Sequence, residues 1–161
     1  MDGTVSIPPG STPPEGLLYY SREFLASALA ADDVLGMRPG FEIAAPVPVM
    51  YQVGHSIELA LKAYLLRHGV SLRDLKRPGK FGHDLEACFR KAKELGLLSF
   101  VDFTDVEVGA MRALNALYHS RQLNYFVAGP KQVPAFGSVQ SFCEKLIAGV
   151  AKGFGSGSAS A

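Results

Sequence analysis

A chain of 161 residues with 48% hydrophobic content and a formal net charge of +1 can bury one sizeable core. It has no stretch of about 18 uncharged apolar residues and no charged opening segment followed by an apolar run, so neither membrane spanning nor secretion is expected and a cytoplasmic setting is. Cys88 and Cys143 stand far apart, without CxxC or Cys/His ligand spacing, which predicts two buried free thiols and no metal site.

Residues 1–14, with Pro8, Pro9, Pro13 and Pro14 and few large apolar side chains, read as an extended or disordered arm. Residues 154–161, closing in GSGSASA, read as a flexible tail. Between them, residues 15–153 form one domain with no internal repeat. Its first helix is expected over Glu15 to Leu35, ended by Gly36, Pro39 and Gly40. A second begins near Pro46 or Pro48 and runs to His68, where Gly69 stops it. Ser71 and Asp74 then suit one helical turn before the loop KRPGKFG.

A third long helix starts at His83 or Asp84 and ends at Leu95, with Gly96 as its cap. Thr104 and Glu107 stand in capping-box register at the head of a fourth, which ends near Arg121. The last takes Ser138 as its N-cap and carries Val139, Phe142, Cys143, Leu146, Ile147 and Val150 at i, i+3, i+4 spacing. The fold class is therefore all-α, a compact bundle of about five helices.

The small net charge conceals an asymmetry. From Lys62 to Lys93 nine basic residues face three acidic ones, a local balance of +6, while residues 1–58 balance at −5. A polyanion can bind such a region, although a solvated surface is the plainer use of it.

Projected at 100° per residue, the second helix is apolar on two sides, which makes it central in the bundle or faces it toward a partner. Between those sides runs a polar lane of Tyr51, His55, Glu58 and Lys62, in which Glu58 and Lys62 can pair at i, i+4. On the fourth helix Arg112, Asn115 and His119 share a face, while Arg121 projects to the apolar side and calls for a carboxylate there. Glu58 is the first choice for that partner and Asp84 the second. His83 is either a catalytic histidine or a helix-entry residue beside a capping Asp84. Tyr118, Tyr125 and Phe126 can stack on bases or pack in the core.

The order HSIELALKAYLLRHG, then GHDL, then a helix ending LNALYHSRQLNYF resembles HEPN-domain proteins, over roughly residues 17–151. HEPN domains are small all-α bundles of prokaryotic toxin–antitoxin and defence systems, and many are metal-independent RNases completed by dimerisation. Their signature is an Arg, four to six residues, and a His. Arg112 and His119 fit it with six residues between them, although Ala113 follows Arg112 where a polar residue is commoner; Arg77 and His83 make a second match.

The resemblance implies a homodimer, acting on RNA or with a cognate antitoxin or nucleotidyltransferase-type protein, and needing no cofactor. In its enzyme form His119 is acid or base, Arg112 clamps the phosphate and Asn115 orients it. Arg121, Tyr118, Lys62 and Arg77 contact the substrate. The alternative is a non-catalytic helical module for dimerisation or protein binding. Walker, dinucleotide-binding and HExxH motifs are absent from the sequence.

Overall fold

The computed structural model describes residues 13–125 and 127–155. The sequence readings on residues 1–12, Phe126 and residues 156–161, including the proline-rich arm and the GSGSASA tail, lie outside the described residues. Six α-helices follow one another: α1 (Pro13–Leu35), α2 (Val47–Arg67), the single turn α3 (Leu72–Lys76), α4 (Leu85–Glu94), α5 (Asp105–His119) and α6 (Phe136–Gly155). A 3-10 turn, Leu97–Ser99, joins α4 to α5, and no strand occurs among the described residues.

The second helix is the axis of the bundle. It packs against all five other helices and buries more than half of its circumference, from Val49, Met50 and Val53 to Ile57, Leu61, Tyr64 and Leu65, leaving a half-buried face of Tyr51, Gln52, His55, Leu59, Lys62 and Leu66. A helix apolar on two sides is stable only where neighbours cover both, and α1, α4, α5 and α6 do so. Pro48 sits in its first turn, where the missing N–H costs nothing, and Gly69, at φ 88°, lets the chain leave the helix after His68.

The caps act as the residue types suggest. Ser71 accepts from the Asp74 N–H, Asp84 from the Ala87 N–H, and Thr104 and Glu107 close a full capping box at the head of α5. Two helix ends differ from expectation. The sixth helix begins at Phe136, not after Ser138, because the Phe136 N–H donates to the Ile43 carbonyl (3.0 Å) and ties the first turn to the loop between α1 and α2. The fifth ends at His119, two residues short of Arg121, which takes a left-handed φ of 62°.

Between α1, α2 and α6 lies a polar seam. Ser21 Oγ donates to the Ser56 carbonyl and Ser56 Oγ to the Ser21 carbonyl, both at 2.7 Å, so each hydroxyl satisfies its own burial. Cys143 Sγ lies 3.2 Å from Ser56 Oγ. Both cysteines are free and buried, and burial pushes each thiol up to about 12.

Gly54, in the middle of α2, lies directly against the Tyr118 ring of α5. A Cβ there would stand 2.6 Å from Tyr118 Cδ2. Gly54→Ala should therefore destabilise the fold: an overpacking cost of about 1–3 kcal/mol outweighs the roughly 0.5–1 kcal/mol gained in helix propensity. The check is the urea midpoint, which should fall. A midpoint that rises would mean that Tyr118 moves aside freely.

Candidate functional site

The polar lane of α2 converges on one buried carboxylate. Glu58 is 3% exposed and meets partners on its own helix and on two other segments of the chain. Lys62 Nζ donates to Oε1 (2.5 Å) and also to the Gly82 carbonyl (2.6 Å). The Tyr118 hydroxyl donates to Oε2 (2.5 Å), and His83 Nδ1 stands 3.1 Å from the same oxygen. His55 Nδ1 lies 3.1 Å from the Tyr118 hydroxyl and 3.7 Å from Glu58 Oε2, and Tyr51 stacks parallel to the His55 ring.

The proton inventory of this cluster follows from its acceptors. Tyr118 gives its only proton to Glu58, so its oxygen accepts from His55 Nδ1–H, and His83 Nδ1–H donates to the carboxylate. Burial opposes the charge on Glu58, but the hydrogen bonds and the Lys62 ammonium outweigh it and hold the carboxyl well below its ordinary range. Tyr118 moves the opposite way. Burial, and then the neighbouring carboxylate, keep its phenol protonated far above the usual value.

His83 is the exposed end of this chain, its side chain half open to solvent. It lines a cleft of about 540 Å³ between the 76–84 segment and the end of α5. Lys62, Lys76, Lys80, His119 and Arg121 line the same cleft, against one carboxylate, Asp84. Lys80 pairs with Asp74 (2.8 Å) and Lys62 with Glu58, whereas Lys76 and Arg121 make no ion pair among the described residues. Two cations without an ion pair among the described residues, Lys76 and Arg121, thus stand at the cleft.

The expected catalytic set is divided. His119 lines the cleft. Arg112 does not: it holds Glu86 in a two-pronged pair, Nε and Nη2 each 3.0 Å from a carboxylate oxygen. Asn115 is also engaged with α4. Its Oδ1 accepts from the Leu85 N–H (2.8 Å) and its Nδ2 donates to Asp84 Oδ1 (3.0 Å), so that Asn115 and Asp84 together cap that helix. Arg112 and Asn115, one turn apart on α5, grip the first turn of α4.

Among the residues expected at a substrate, Lys62 and Arg121 line the cleft, Tyr118 is buried beneath it and Arg77 caps α3 outside it. Arg121 has neither Glu58 nor Asp84 as a partner. The helical projection ended two residues before it, and the side chain is exposed. Tyr125 is exposed as well. Lys76 and Lys80 were not singled out one by one, but both fall within the basic stretch from Lys62 to Lys93 that signalled this face. Compared with known proteins, the chain matches no family model, no curated protein and no solved structure.

Proposed function

We propose that this helical bundle is a HEPN-like domain that binds RNA through its phosphates in the cleft between the 76–84 segment and the end of α5. The observation that carries the reading is the lining: Lys76 and Arg121, which make no ion pair among the described residues, beside Lys62 and Lys80, which hold Glu58 and Asp74, and two histidines, with Asp84 already engaged as a helix cap. Guanidinium and ammonium groups neutralise successive phosphates, and the release of condensed counterions drives association. Tyr125, exposed after Arg121, offers a face on which a base can stack.

The test is the affinity for a short single-stranded RNA, measured by fluorescence anisotropy across a salt series. The doubly reversed variant Lys76→Glu/Arg121→Glu removes two phosphate contacts. It should lower affinity at least about tenfold at moderate salt and make the log–log salt slope shallower by one to two, since each phosphate contact on a single strand contributes about 0.7 to that slope. Equal affinity and slope in both proteins would remove the cleft from the reading.

A second reading, a non-catalytic module that dimerises or docks a partner protein of a toxin–antitoxin or defence system, draws support from Arg112 and Asn115. Both side chains are engaged in holding α5 to α4. No affinity for RNA would favour it.

A further inference from the structure

We propose that the RNA site has two parts: a second cleft, across the 79–81 segment from the first and with Arg90 of α4 as its phosphate contact, takes the nucleotides that follow those in the first cleft. This inference rests on the first cleft's taking RNA. The second cleft has a volume of about 590 Å³ and lies between residues 69–74, the 79–81 segment and α4. Gly79, Lys80 and Phe81 line both clefts, so the two share one wall.

In the second cleft Lys80 holds Asp74 and Lys91 holds Glu94, so both acids are paired. Arg90 is exposed and makes no ion pair among the described residues. It is the surplus charge of the second cleft, as Lys76 and Arg121 are of the first. Both pairs in the second cleft are open to solvent and contribute little to stability, so an arriving phosphate can recruit either ammonium. The basic stretch from Lys62 to Lys93 thereby gains one physical meaning: Lys62 of α2, Lys76 and Lys80 around the loop and Arg90 of α4 all reach one pair of adjoining clefts.

The shared wall suits a strand that crosses it. Its crest, Pro78 to Lys80, is exposed, and Gly79, at φ 78°, has nothing within 4 Å of the place a Cβ would take. With no side chain there, a sugar–phosphate backbone can lie close to the protein backbone. Below the crest Phe81 is buried and Lys62 holds the Gly82 carbonyl, which anchors the wall. A duplex, with a persistence length of about 50 nm in the case of DNA, is too stiff to bend over so short a segment. The ligand is therefore single-stranded RNA, long enough to fill both clefts.

The experiment measures the affinity of a trinucleotide and a dodecanucleotide RNA by fluorescence anisotropy, at low salt and across a salt series. The proteins are the wild-type chain, Arg90→Glu, Lys76→Glu/Arg121→Glu and Lys152→Glu. Lys152 is an exposed residue of α6 outside both clefts, so its reversal reports the effect of net charge alone. Arg90→Glu should weaken dodecanucleotide binding about three- to tenfold more than Lys152→Glu does, and make the log–log salt slope shallower by about 0.7, the share of one phosphate contact. On the trinucleotide the two single reversals should be equal, whereas Lys76→Glu/Arg121→Glu should weaken both RNAs. Arg90→Glu no worse than Lys152→Glu on the dodecanucleotide, or weakening both RNAs alike, overturns the second cleft and leaves the first standing. No binding of either RNA by the wild-type chain overturns both readings.

Discussion

Glu58→Ala should lower the folding free energy by about 3–5 kcal/mol, the range for removing one member of a buried charged pair. The carboxylate is 3% exposed and Lys62's side chain 12%. Without Glu58 the ammonium retains the Gly82 carbonyl alone, and the Tyr118 hydroxyl and His83 Nδ1–H lose their acceptor. Lys62 can relieve part of the cost by turning toward the cleft it lines. The double variant Glu58→Leu/Lys62→Met should then be more stable than Glu58→Ala, because no charge is left buried. Denaturant titration of the three proteins decides the matter; a double variant no better than the single one would place the loss in packing and not in charge.

The same carboxylate sets the acid limit. Glu58 and Glu107 are both held below the ordinary value of 4.5, and Glu107, through hydrogen bonds from Lys145 and Ser141, down to about 2. A carboxyl whose folded value is depressed binds its proton more readily in the unfolded chain. Its stabilisation is complete above 4.5 and is lost as pH falls toward the folded value, for Glu107 between 4.5 and about 2. Stability plotted against pH should slope downward on the acid side, and Glu58→Gln should flatten that slope.

Phe142→Ala should cost about 3–5 kcal/mol, the usual range for a fully buried aromatic ring. Phe142 of α6 meets Phe89 of α4 edge to face at 5.4 Å and Phe103, just before α5, in a stack at 4.5 Å; Phe89 and Phe103 close the triangle at 5.6 Å. Three segments of the chain share this contact, so the cavity cannot be closed by shifting one of them. Phe142→Leu refills most of the volume and should cost distinctly less. Thermal unfolding separates the two, and equal melting temperatures would mean that the neighbouring rings collapse into the space.

The helices were legible because their signals are local. The apolar spacing of α6 and the Thr104/Glu107 and Ser71/Asp74 pairs act within one or two turns of chain, and each does in the structure what its spacing suggested. The polar lane of α2 was legible for the same reason. Its partners were not. Glu58 meets His83 and Tyr118 from 25 and 60 residues away, and only the packing of α4 and α5 on α2 decides which side chains arrive. Arg121 was projected as if α5 continued through it, and one left-handed residue turned it out to solvent. Arg112 and His119 share a helical face, yet one grips α4 and the other borders the cleft, a distinction that depends on where the neighbouring helix lies.

Lys62 also has a mechanical meaning. One ammonium links the carboxylate of the central helix to the Gly82 carbonyl of the glycine-rich segment, so that segment cannot lift from α2 without breaking the Lys62 bond to Gly82 and the His83 contact with Glu58. Local opening of a surface loop ordinarily requires little free energy. Here the wall of the cleft is tied to buried groups of the central helix, so the amide protons around Gly82 should exchange more slowly than those of an untethered loop.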